Sequence, residues 1–155
     1  MVCSIKKRKM KTIIASGYFD PIHAGHVEYL KKAKNLGDKL IVIVNNDKQA
    51  ILKKGYFFMP AEDRIKIIKA LVHVDEAVIS MDEDSTVCNT LEMLFNKYDN
   101  CVLAKGGDRF ANEIPEAKIC LKYNVPIIDG LGEKIRSSSE LVKEYNYKLS
   151  LKNKA

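Results

Sequence analysis

Three observations predict an α/β protein built on a doubly wound parallel sheet. Short apolar runs at 12–16, 39–45, 74–81, 101–105 and 125–129 alternate with amphipathic stretches, the pattern of repeated strand and helix. The second run, Lys39-Leu40-Ile41-Val42-Ile43-Val44-Asn45, is apolar almost throughout, as a strand covered on both faces must be. Between the first two runs, Gly17 to His26 reads as a tight turn opening a helix, the position at which such sheets receive anions. A chain of 155 residues, 46% hydrophobic and 30% charged, is enough for one domain with an ordinary core.

The chain begins with a basic arm over residues 1–10. Lys6, Lys7, Arg8 and Lys9, with Lys11 just beyond, carry five charges of a net +6, so the body at 11–146 is nearly neutral. No aromatic side chain is interleaved with these cations to stack bases, which favours a solvated arm over a nucleic-acid-binding one. The first strand is Thr12–Ser16. A helix follows from about His23 to Leu36, with Val27, Leu30, Ala33 and Leu36 on one stripe and Gly37 as its stop. With the strand at 39–45 this makes a βαβ unit with a right-handed crossover.

Asp47 to Pro60 has no clean periodicity and holds Lys48, Lys53, Lys54 and Gly55, which predicts a mobile basic loop. It leaves the carboxyl end of a parallel strand, so Lys53 and Lys54 are candidate phosphate contacts. A helix at 61–72 buries Ile65, Ile68, Leu71 and Val72, and a third strand spans 74–81. Asp82-Glu83-Asp84-Ser85 then opens a helix carrying Val87, Leu91, Leu94, Phe95 and Tyr98; acids there complement the helix dipole and are expected in solvent rather than on a metal. After the fourth strand, Gly106-Gly107-Asp108 forms a turn that allows close ligand approach. A helix at 113–123 and a fifth strand at 125–129 follow. The last helix opens at Ser137-Ser138-Ser139-Glu140, a capping box between Ser137 and Glu140. Three hydroxyls beside Arg136 at a helix N-terminus also make a second phosphate site. Residues 147–155 read as a fraying tail.

Several function classes are excluded by what is present. No apolar run approaches the roughly 18 residues of a membrane span, and the basic N-terminus lacks the apolar segment of a signal peptide, so a cytoplasmic location is expected. Cys3, Cys88, Cys101 and Cys120 are too scattered for a zinc site and read as thiols in a reducing compartment, the last three in apolar segments.

The turn itself carries the chemistry. His23 and His26 stand three apart, which on a helix places both imidazoles on one face over the first turn, where backbone N–H groups lack partners. Gly25 between them lets a ligand approach the backbone. The plainer alternative has Asp20 capping the helix, Pro21 shaping its start and the histidines as surface residues.

Gly17-Tyr18-Phe19-Asp20-Pro21-Ile22-His23-Ala24-Gly25-His26 resembles the signature G-x-F-D-x-x-H-x-G-H of the H-x-G-H nucleotidyltransferase superfamily, which includes glycerol-3-phosphate and phosphoethanolamine cytidylyltransferases and heptose-phosphate adenylyltransferases. Class I aminoacyl-tRNA synthetases carry a related motif in far longer chains. The resemblance continues in order through Leu36-Gly37-Asp38-Lys39-Leu40 and Asn45-Asn46-Asp47, Met59-Pro60-Ala61-Glu62-Asp63-Arg64, Val74-Asp75-Glu76, Lys105-Gly106-Gly107-Asp108 and Arg136-Ser137-Ser138-Ser139. It implies a Rossmann-like sheet of order 3-2-1-4-5, with the His turn and the Gly106-Gly107-Asp108 turn lining one crevice.

It also implies nucleotidyl transfer from an NTP to a small phosphorylated acceptor such as a sugar or polyol phosphate, with Mg²⁺ held by the triphosphate, and a homodimer. Residue by residue, His23, His26, Lys53, Lys54 and Arg136 become the catalytic set. Gly17, Tyr18, Phe19, Asp20, Gly25, Lys105, Gly106, Gly107, Asp108, Ser137, Ser138 and Ser139 become the nucleotide-binding set. Gly132-Glu133-Lys134-Ile135-Arg136-Ser137-Ser138-Ser139 departs from the R-T-x-G-I-S-T-T of the cytidylyltransferase branch, and Val72-His73 replaces an arginine found there. Both differences favour ATP over CTP. The rival from another class is a non-catalytic nucleotide or RNA binder on the same fold.

Overall fold

The computed structural model describes residues 8–106, 114–131 and 138–154. Its centre is β1 (Thr12–Gly17), flanked by β2 (Lys39–Val44) and β4 (Cys101–Ala104), with β3 (Glu76–Ile79) and β5 (Ile127–Ile128) at the edges. All neighbouring strands are parallel and the order is β3-β2-β1-β4-β5, as the resemblance implied. Ile14 stands opposite both Ile41 of β2 and Leu103 of β4, so the middle of the sheet is aliphatic in every direction.

Period-2 alternation divides the core in two. Ile13, Ala15, Leu40, Val42 and Val44 face α1 (Ala24–Lys34) and α3 (Ala61–Ala70), meeting Leu30, Ala33 and Ile68. Ile14, Ile41, Ile43 and Leu103 face α4 (Cys88–Lys97) and α5 (Ala117–Lys122), meeting Leu91, Leu94, Phe95 and Cys120. Each fully buried aliphatic side chain contributes about 1.5–3 kcal/mol of transfer free energy. The helices therefore lie on both faces, and the sheet is doubly wound.

Several elements differ from the sequence-based expectation. The segment expected as a loop at 47–60 opens with a helix, α2 (Asp47–Lys54). Its start is fixed by a reciprocal capping box in which Asn46 accepts from the Gln49 amide and Gln49 accepts from the Asn46 amide; Gly55 at φ 85 ends it. Ile51 and Leu52 are exposed, which is why no apolar stripe announces this helix. The final helix, α6 (Ser138–Asn153), runs through most of the stretch expected to fray, although no residue of it is buried. Helix α1 begins at Ala24 and its C-cap is Asn35, ahead of Gly37.

Asp82 is not in solvent. It is buried, accepts from the amides of Asn89 and Thr90 in the first turn of α4 and from the Thr90 hydroxyl, and so closes that helix. Strands β3 and β5 are shorter than expected, although Asp75 and Ser80 beside β3 still donate to Leu40 and Val44 of β2, and Pro126 before β5 still accepts from Leu103 of β4. Cys101 and Cys120 are buried, and burial pushes both thiols up to about 11, so they are inert packing groups. Cys3 lies outside the described residues. No helix among the described residues is long and apolar enough to cross a membrane.

Candidate active site

At the carboxyl end of β1 the chain folds back on itself. Phe19 takes a left-handed backbone (φ 53) and lays its buried ring over Gly17, where an added Cβ would lie 2.9 Å from Phe19 Cζ. The same ring meets the edge of the His26 imidazole, with centroids 4.9 Å apart. Gly17 and Phe19 of the motif therefore shape the floor under His26.

Asp20 does not cap α1. Its buried carboxylate accepts from the Lys54 ammonium at 2.7 Å and from the amides of Phe58 and Met59 at 2.8 and 2.6 Å. Burial pushes this carboxyl up, but the lysine and the two amides outweigh it, and the net displacement is below the usual carboxylate range. Asp20 thus fastens the segment after α2 onto the turn after β1.

The cap of α1 is His23, which stands just outside the helix rather than within it. Its Nδ1 accepts from the Gly25 amide at 3.1 Å, while Nδ1 of His26 accepts from the His23 amide at 3.2 Å. The two rings stack at 3.8 Å with 23° between planes. Because each Nδ1 is occupied as an acceptor, each neutral ring carries its proton on Nε2. Burial, reinforced by the charge of His23, pushes His26 down to about 3, so it is neutral at physiological pH. Two imidazole N–H donors are thereby fixed at a helix N-terminus, an arrangement suited to an anion.

The lysines of the last turn of α2 are drawn to the same place. Lys54 is held by Asp20 and lies 5.4 Å from the Tyr56 ring centroid, and Lys53 Nζ sits 4.3 Å from the Tyr18 ring centroid. On the other flank Lys105 Nζ donates to the Ser16 hydroxyl at 3.2 Å. Gly106 follows, packed so closely on Tyr29 that a Cβ would meet its ring at 2.9 Å, and the Tyr29 hydroxyl donates to the Ala104 carbonyl. The first and fourth strands thus bring the His turn and the start of the glycine turn together. Ser138 Oγ donates to the Pro21 carbonyl at 2.9 Å, which attaches α6 to the His turn, whereas Ser139 is exposed. Gly107, Asp108, Arg136 and Ser137 lie outside the described residues.

Arg64 is the residue that sequence reasoning quoted without a role. It is buried, and its guanidinium donates to the carbonyls of Tyr18, Asn45 and Met59 and to the Asp47 carboxylate, all at 2.7–2.8 Å. The signal was its place in Met59-Pro60-Ala61-Glu62-Asp63-Arg64; an arginine on the inner stripe of an otherwise aliphatic helix face needs such partners. Among the described residues, no three His, Cys, Asp or Glu side chains converge as a metal cage.

Imidazole donors fixed at a helix start and backed by lysines suit a polyphosphate, and at the switch point of a parallel sheet they define a nucleotide-binding α/β domain. The family is narrower: residues 14–144 match the cytidylyltransferase-like family, and the chain belongs to it. An FAD synthase from Thermococcus kodakarensis is 38% identical over 109 residues, covering 69% of each chain. The bifunctional protein HldE from Citrobacter koseri is 42% identical over 115 residues, which cover 73% of this chain but 23% of that one. The solved structure of a lipopolysaccharide core biosynthesis protein from Thermoplasma volcanium superposes with a TM-score of 0.61 at 28% identity, over 77% of this chain and 95% of that one. Family and relatives together support nucleotidyl transfer.

Proposed function

We propose that this protein transfers an adenylyl group from ATP to a small phosphorylated acceptor and releases pyrophosphate. The observation that carries this is the reciprocal cap of His23 and His26, which fixes both imidazoles at the start of α1. In the reaction an acceptor phosphate oxygen attacks the α-phosphorus, a new P–O bond forms, the bond to the bridging α–β oxygen breaks, and pyrophosphate carries away the charge. An ionised acceptor needs no general base, so positioning and electrostatic stabilisation suffice. His23 and His26 hold the triphosphate, His26 most strongly as charge develops; Lys53, Lys105 and, beyond the described residues, Arg136 and Ser137 supply further contacts.

ATP over CTP is supported by the relatives named FAD synthase, because making FAD joins an AMP unit to a phosphorylated flavin. Mg²⁺ enters with the nucleotide. Asp20, the carboxylate of the turn, already accepts from Lys54 and two amides, which suits a metal bound through phosphate oxygens rather than by a protein cage.

The test is pyrophosphate release from Mg²⁺ and ATP or CTP against a panel of phosphorylated flavins, sugars and polyols. His26→Ala is expected to lower turnover on the order of 10²- to 10³-fold while ATP binding changes little. Equal small effects on binding and turnover would remove His26 from this role. Tighter CTP than ATP binding by more than about 1.4 kcal/mol, a tenfold preference, would overturn the adenylyl reading.

A further inference from the structure

A groove of about 460 Å³ runs alongside the His turn. One wall is Pro21, two residues before His23, with Tyr56 and Phe58 from the segment after α2. The other is one face of α6, where Leu141, Val142 and Tyr145 recur at helical spacing and Asn146 closes the end. The volume is that of a small-molecule site, which typically spans roughly 300–1,000 Å³.

Its chemistry is selective. Phe58 and Tyr145 leave 57% and 59% of their surfaces exposed, and α6 has no buried residue, so this helix face and these rings have no occupant of their own within the described residues. A sugar or polyol needs a hydrogen-bond partner for each hydroxyl; Pro21, Phe58, Leu141 and Val142 offer none, and the polar partners are limited to the Tyr56 and Tyr145 hydroxyls and the Asn146 amide, fewer than a hexose requires. A flat aromatic ring system gains from these walls by stacking and apolar burial, and the Asn146 amide can serve its polar edge. Beyond the Tyr56 wall lies Lys54, 5.4 Å from that ring and held by Asp20, the residue before Pro21, a cation suited to one phosphate group beside the His turn. Ser138 joins α6 to Pro21, so the groove and the His turn are one continuous surface.

The geometry points to this groove as the acceptor subsite, taking the planar aromatic ring of a phosphorylated acceptor with its phosphate directed to Lys54. This rests on the adenylyl-transfer reading above and narrows its acceptor class. Lys54 orients the acceptor phosphate so that its oxygen attacks the α-phosphorus of ATP, with pyrophosphate leaving as before.

Flavin mononucleotide is the probe, with glycerol 3-phosphate and a hexose 1-phosphate as comparators. Pyrophosphate release from Mg²⁺-ATP is expected with the flavin and not with the comparators. Val142→Asp, on a helix without buried residues, should raise KM for the flavin at least tenfold and leave KM for ATP within twofold; Tyr145→Phe, which keeps the ring, should behave as wild type. Turnover with a comparator but not the flavin overturns the proposal. So does an equal rise in the KM for ATP, which would make the nucleotide base the occupant, or a change of oligomeric state at unchanged flavin KM, which would make it a second copy of the chain. If no acceptor yields pyrophosphate, it is the adenylyl reading that fails, and quenching of flavin fluorescence decides the groove alone: quenching lost in Val142→Asp upholds it, and none in the wild type overturns it.

Discussion

Asp20 and Asp82 each stand three residues past the end of a strand, β1 and β3, at the carboxyl end of the sheet, and both are 1% exposed. Their partners differ in kind. Asp82 accepts only from neutral donors: two amides and a hydroxyl of the helix that follows it, and the Ser80 hydroxyl. Asp20 reaches past its own helix to a lysine and two amides 34 to 39 residues further along the chain. One carboxylate completes a local cap. The other closes a long loop and holds a cation against the turn after β1. A buried acid at a strand end is thus scaffold or machinery according to whether its partner is charged and whether the contact is local.

Exchanging charge for amide separates the two. Asp20→Asn leaves the largely buried Lys54 without its counter-charge and should cost about 3 kcal/mol in urea unfolding, with a clear loss of turnover. Asp82→Asn should cost about 1–2 kcal/mol and leave kcat within twofold in folded protein. Equal losses of turnover would erase the distinction.

A smaller effect comes from His26. Its folded pKa of about 3 lies below the unfolded value of about 6.5. Between these values the unfolded chain binds the extra proton, so the contribution of His26 is full above about 6.5 and declines as pH falls. The slope is at most about 1.4 kcal/mol per pH unit. His26→Asn should flatten stability between pH 5 and 6.5 relative to wild type, measured by denaturant titration at each pH; an unchanged slope would show that His26 is charged in the folded protein. The smallest change is Thr90→Val, which removes one donor to Asp82 and the acceptor of the Met81 amide. It should cost about 1 kcal/mol in unfolding and nothing in KM or kcat.

The strands were legible because parallel strands covered on both faces are written as unbroken aliphatic runs, and the His turn because its residues are contiguous. The strand order came from resemblance, since spacing alone does not order a sheet. Helix α2 was hidden by its outward Ile51 and Leu52, although Asn46 and Gln49 spelled a capping signal. Asp20 resembled a cap because its true partners, Lys54, Phe58 and Met59, are remote in sequence. Asp82 sat in a run of acids, and nothing in that run distinguishes the one that turns inward. The C-terminal half of α6 buries nothing, so it leaves no periodic trace.

Arg64 has a consequence for how this edge of the protein opens. Its guanidinium is shared by the turn after β1, the end of β2, the first residue of α2 and the segment before α3. Releasing any one of them exposes the buried charge to an incomplete set of acceptors, and the remaining three lose their common anchor. Opening in parts is therefore disfavoured, and these pieces behave as a single cooperative unit whose excursions take the turn after β1 apart all at once. In native-state hydrogen exchange such a unit is recognised by one shared opening free energy, which joins amides of Phe58 and Met59 to those of the neighbouring strand ends even though they are far apart along the chain.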